Sequence, residues 1–92
     1  MTIYAIKDEV IGFTGAIMTL HNDDEAKRMM ASTIKAADNQ IAQYPKDFSI
    51  WRVGELDRIT GEIKTEPTPV YVCRGSDFAK EVSTNEVQDA IH

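Results

Sequence analysis

The chain contains a single cysteine, Cys73, which excludes a disulfide within one copy. A lone thiol suits a reducing compartment. Imidazoles are as scarce: His21 and His92 lie far from Cys73 and from each other, so no metal-ligand spacing exists, and neither a metal nor another cofactor is expected. Long apolar runs are missing. No stretch approaches the roughly 18 apolar residues of a membrane span, so no membrane association is expected. Met1–Ile6 is apolar but short, lacks a basic flank and runs straight into Lys7, Asp8 and Glu9. It does not read as a secretory leader, and a cytosolic protein is expected.

Basic clusters are absent too. Ten basic and fifteen acidic side chains leave a net charge of −5. Residues 1–45 hold four basic and six acidic groups, residues 46–80 six of each, and residues 81–92 three acids without lysine or arginine. No segment is strongly basic, which counts against a generic polyanion binder while leaving a more specific nucleic-acid role open.

No catalytic motif assembles. There is no Gly-x-Ser-x-Gly elbow, and His21 sits at a predicted strand end beside a helix cap, where a solvated or capping role fits best. As a nucleophile Cys73 would need a neighbouring base, but its one charged neighbour is Arg74, so a buried strand thiol is the better reading. Glu55 and Asp57 flank a hairpin turn and are explained by turn chemistry. Gly12-Phe13-Thr14-Gly15 is similar to the Gly-x-x-Gly loop of KH domains. That loop joins two helices, whereas this one joins two predicted strands without basic residues and reads as a plain turn. Walker and dinucleotide glycine patterns are absent. The chain is not expected to be an enzyme; a small hydrolase or nuclease would have no defensible residue set.

What is present describes one domain of 92 residues. A chain this short buries only roughly 60–65% of its unfolded surface, and such proteins add disulfides, metals or a partner subunit. With the first two excluded, a homodimer is expected.

Thr2–Lys7 reads as a strand with β-branched and aromatic character, Asp8–Gly15 as a hairpin loop, and Ala16–His21 as an antiparallel partner. Asn22 is a good N-cap with Glu25 three residues on, and Asp23, Asp24 and Glu25 put negative charge on the first turn. Ala26, Met29, Met30, Thr33, Ile34, Ala37 and Ile41 then recur at helical spacing, and Pro45 should stop the helix before Tyr44. One long amphipathic helix over about residues 23–43 is predicted. Phe48–Leu56 is the next strand, Asp57–Gly61 a type I turn closed by a left-handed glycine, and Gly61–Lys64 the return. Pro67 and Pro69 should break that return before Val70–Cys73 resumes at an edge. Past Arg74-Gly75 the chain turns polar; residues 79–92 read as an extension in which Ser83 and Glu86 cap a short helix ending near Ile91. The fold class is therefore α+β: an antiparallel sheet of four to five strands with the helix packed on one face.

A sheet covered on one face alternates apolar with polar residues. Here Ile3-Tyr4-Ala5-Ile6, Ile50-Trp51 and Val70-Tyr71-Val72-Cys73 offer apolar groups to both faces. One helix covers one face, and the other must meet the tail, a partner subunit or a flat ligand such as stacked bases. Tyr4, Trp51 and Tyr71 lie on three predicted strands with Lys7, Arg52 and Arg74 nearby. These six are the candidate nucleic-acid-binding residues, because aromatic platforms on open sheets stack single-stranded bases. The competing reading makes the same rings core or dimer contacts.

The run Tyr44-Pro45-Lys46-Asp47-Phe48-Ser49-Ile50-Trp51-Arg52-Val53-Gly54-Glu55-Leu56-Asp57, continuing into Thr60-Gly61-Glu62-Ile63 and Arg74-Gly75-Ser76-Asp77-Phe78, resembles a signature of gokushovirus-type Microviridae. These are small single-stranded DNA bacteriophages, and the likeness is to their non-structural protein. Ile3-Tyr4-Ala5-Ile6 and Asn22-Asp23 fit as well, so the resemblance spans about residues 1–78. Tyr44, Trp51 and Leu56 depart from the usual asparagine, tyrosine and phenylalanine. The resemblance implies a DNA-binding-type protein outside the virion, made in the host bacterial cytoplasm, that assists viral DNA replication or packaging. The expectation is a non-enzymatic accessory contacting single-stranded DNA. The alternative is an adaptor for the phage replication initiator, the capsid assembly or a host factor, without DNA contact.

Overall fold

The structure, a computed structural model, describes residues 1–79. The expected Ser83–Ile91 helix lies outside the described residues. Two hairpins flank a helical segment. β1 (Thr2–Asp8) and β2 (Gly12–Leu20) form the first, α1 (Asp23–Ala36) and α2 (Gln40–Gln43) follow, and β3 (Phe48–Leu56) with β4 (Ile63–Arg74) forms the second. β3 returns on the free side of β1, so the antiparallel sheet runs β2-β1-β3-β4.

The expectation of one long helix packed on the sheet is overturned. The sheet dominates, and the helical segment is a 14-residue α1 followed by a four-residue α2. Local hydrogen bonding causes the break. Ala37 adopts a left-handed conformation, φ 61°, as the cap of α1. Asn39 then starts a new turn: its side chain accepts the Ala42 N–H at 2.8 Å while its amide donates to the Thr33 carbonyl at 2.8 Å. Asparagine offers the backbone such alternatives to helix continuation. The apolar spacing runs on through Ile41 regardless, so periodicity conceals the interruption. The start of α1 is as expected, with Asn22 accepting the Glu25 N–H at 3.0 Å. Its end before Pro45 also survives in α2, which stops at Gln43.

Both hairpins depart from the predicted spans. β2 begins at Gly12 rather than Ala16, because an irregularity lets Phe13 pair with Lys7 while Ile17 pairs with Ala5. Gly15 sits in that irregularity with φ 89°, open to glycine, and the Thr14 hydroxyl donates to the Ile6 carbonyl at 3.1 Å. The predicted return of Gly61–Lys64 and separate Val70–Cys73 strand are one continuous β4. It takes five steps from Thr65 to Val70 where β3 takes two from Gly54 to Arg52. Pro67 and Pro69 occupy this slack on an edge strand, where no ladder partner needs their missing N–H. The Asp57–Gly61 turn forms as predicted. Gly61 has φ 79° and Asp57 accepts the Ile59 and Thr60 N–H groups, which lower its carboxyl below the usual range.

The core lies on the helical side. Tyr4, Ile50 and Cys73 of the sheet meet Ala26, Met30 and Ile34 of α1, with Ile6, Met18, Leu20, Val72, Phe78 and others packed around them. Large buried aliphatic and aromatic surface of this kind supplies most of a small domain's stability.

Candidate functional site

The face away from α1 follows from register, because residues paired directly across antiparallel strands share a face. Ile17 pairs with Ala5, Ala5 with Trp51, and Trp51 with Tyr71, which makes one row crossing all four strands. A second row runs Phe13, Lys7, Ser49, Arg74. At their junction is an aromatic cluster. Trp51 packs edge-on against Phe13, centroids 6.2 Å apart, and against Tyr71 at 5.5 Å. Edge-to-face packing of this kind holds rings in defined orientations. Lys7 Nζ lies 5.3 Å from the Trp51 centroid and 5.8 Å from that of Phe13, within cation–π range. The Trp51 indole donates to the fully buried Ser49 hydroxyl at 2.8 Å, which fixes the ring plane. Ile17, Phe13 and Tyr71 remain exposed, by 66%, 46% and 45%.

The structure divides the six candidate residues between two faces. Lys7, Trp51 and Tyr71 come together on the open face. Tyr4 is fully buried among the core residues, and its hydroxyl donates to Asp23 at 2.7 Å. Burial first, and that hydrogen bond second, push its pKa well above the usual phenol range. Arg52 lies on the helical side, 3.3 Å from Asp23 and 3.4 Å from Glu66. Its Nε is buried without an aligned hydrogen bond, so Glu66 holds it by charge alone. Arg74 falls in the open-face row but is engaged: it donates to the Lys46 carbonyl at 2.8 Å and pairs with Glu9 at 3.2 Å. Among the described residues Lys7 makes no ion pair with a carboxylate.

Phe13 and Ile17 belong to this surface and were missed in the sequence. Phe13 falls within the predicted Asp8–Gly15 loop but lies in β2; the signal for it is an aromatic two residues before a glycine capable of a bulge. Burial raises the Tyr71 pKa, with the Asp77 charge adding to it. Burial likewise pushes the Cys73 thiol up to about 11, leaving a protonated, unreactive group. His21 Nδ1 lies 2.8 Å from Glu25, which lowers the Glu25 carboxyl. Among the described residues no three histidine, cysteine or acidic side chains gather as a metal site, and no helix is long and apolar enough to cross a membrane. The arrangement can stack flat rings against Phe13 and Tyr71 and offer one ammonium to an anion.

The family model described as Phage ORF5 protein matches residues 1–78. No curated protein and no solved structure matches the chain.

Proposed function

We propose that this chain, which belongs to the Phage ORF5 protein family, is a non-enzymatic accessory of single-stranded DNA genome replication or packaging that contacts single-stranded DNA through the open sheet face. The observation that carries the reading is the fixed cluster of Phe13, Trp51 and Tyr71 under the Lys7 ammonium. Stacking on such rings is worth roughly 1–3 kcal/mol per base and tolerates any sequence. The finer placement, among gokushovirus-type Microviridae and in the host cytoplasm, is supported by the resemblance of Tyr44–Asp57 and its continuations. Titration of labelled single-stranded and duplex DNA at several salt concentrations tests the proposal, with the single strand expected to bind more tightly. Absence of binding to either at low salt overturns it.

A second reading is favoured by one observation. Arg52 and Arg74, two of the three candidate cations, are engaged by Asp23, Glu66 and Glu9 within the chain. A surface of exposed rings with one ammonium unpaired among the described residues also fits a protein partner, as an adaptor for a replication initiator, capsid assembly or host factor would need.

A further inference from the structure

The two edges of the sheet differ in chemistry. β4 carries Lys64, Glu66, Pro67 and Pro69, the charges and prolines that block strand addition. β2, Gly12–Leu20, has neither a charge nor a proline. An antiparallel edge presents a row of N–H and C=O groups with no ladder partner, and an uncharged, unblocked one is a template for another strand. The irregular part of β2 ends at Ile17; from there to Leu20 it pairs with β1 residue for residue. We infer that this segment of β2 pairs antiparallel with β2 of a second copy, joining the two sheets into one of twice the width.

The neutrality of this strand admits a second copy of the acidic chain as the occupant. Two chains of net charge −5 repel wherever their acids confront each other. Gly12–Leu20 holds no ionisable side chain, so a two-fold contact there brings no like charges together. The two-fold axis also fixes the register. Facing residues must share a face, so their numbers differ by an even count and the axis passes through a residue. Met18 and Thr19 lie nearest the middle of the regular segment. An axis through Thr19 would set Ile17 against His21, whereas one through Met18 keeps ionisable groups out of the ladder and sets Ile17 opposite Thr19 of the second copy. Ile17, 66% exposed, gains a cross-strand neighbour. The open-face row from Tyr71 through Trp51 and Ala5 to Ile17 then continues, on the same face of the other chain, into its row of Thr19, Ile3 and Gly54.

The inference stands apart from the DNA reading, since it is tested without nucleic acid. Light scattering at micromolar concentration is expected to give twice the 10.3 kDa chain mass. Ile17→Glu with Thr19→Glu sets acid against acid at two symmetric places and is expected to give monomer. Ile17→Lys with Thr19→Glu sets lysine against glutamate and is expected to restore the dimer. A monomeric parent overturns the inference, and so does a Glu/Glu variant that remains dimeric. Hydrogen exchange on the unaltered chain covers the case of a variant that fails to fold. The outward amides of Ile17–Leu20 are expected to exchange slowly and to speed up on dilution. Rapid exchange at every concentration overturns the pairing.

Discussion

Tyr71 and Cys73, two residues apart on one strand, face opposite sides of the sheet. In a regular strand they would share a face. Ile50 pairs with Cys73 and its neighbour Trp51 with Tyr71, so Val72 is an extra residue on β4. Val72 packs against the same core cluster that contains Cys73, and the alternation resumes with Tyr71 on the other side. The bulge thus sends the thiol inward and places the phenol ring against Trp51. Bulges re-aim side chains in this way. The aromatic cluster is a consequence of the extra residue.

The N-cap and the buried face of α1 make contrasting contributions. Asn22→Ala removes the acceptor for the Glu25 N–H and is expected to destabilise the fold by about 1 kcal/mol. Met30, 1% exposed, sits at the centre of the helix–sheet contact. Met30→Asp is expected to lower stability far more than loss of the cap, because it buries an unpaired charge. Urea titrations followed by circular dichroism compare the two. A Met30→Asp protein as stable as the parent would contradict the face assigned to α1.

Gly54 allows β4 to approach β3. A Cβ placed there would lie 2.6 Å from the Lys64 carbonyl oxygen, a backbone atom with little room to move. Gly54→Ala is therefore expected to cost about 1–3 kcal/mol, as overpacking does. It should also loosen the β3–β4 hairpin first, seen as faster amide exchange at Glu55–Lys64 than at Ile3–Tyr4.

Stability is expected to fall in alkali. The Cys73 thiol is pushed up from 9.0 to about 11, chiefly by burial and then by the Asp77 charge. Its neutral form is the one the fold favours. The unfolded chain loses the proton first, so stability from this group is intact below pH 9.0 and lost as pH rises toward about 11. Tyr4, raised from 10.0 by burial and by its bond to Asp23, extends the loss to higher pH. The urea midpoint should decline from about pH 9 in the parent, and only from about pH 10 in Cys73→Ala. A midpoint unchanged to pH 11 would contradict the buried thiolate penalty.

Local chemistry made much of the fold legible. The Asn22 cap, the stop at Pro45 and the Asp57–Gly61 turn rest on contacts within four residues, which sequence spacing encodes. The long helix failed because Ile41 keeps the period while Asn39 diverts the backbone. Pro67 and Pro69 suggested a break because their tolerance depends on β4 being an edge, a fact of topology. The candidate site was half legible for the same reason. Trp51, Tyr71 and Lys7 share a face, but alternation on β3 separates Arg52 from Trp51. The pairing of Arg52 with Asp23 and Glu66 arises only once α1 and β4 are placed.

Single-stranded DNA binding, if carried by the open face, must be dominated by stacking. Arg52 and Arg74 are occupied by carboxylates, which leaves Lys7 as the cation above the rings. One or two phosphate contacts imply a log–log salt slope of about −0.7 to −1.4, from roughly −0.7 per contact on single strands. Lys7→Ala should flatten that slope by about 0.7, one contact. Arg52→Ala should leave it unchanged, because that guanidinium faces the helical side. Tyr71→Ala, at an exposed ring, should weaken binding by about 1–3 kcal/mol with the fold intact by circular dichroism. Trp51→Ala should weaken it as much and also lower stability, since its ring anchors both Phe13 and Tyr71. A slope several times steeper would place the contact on a basic surface elsewhere. If single-stranded DNA binds but Tyr71→Ala and Lys7→Ala leave its affinity untouched, the open face is not where the strand lies.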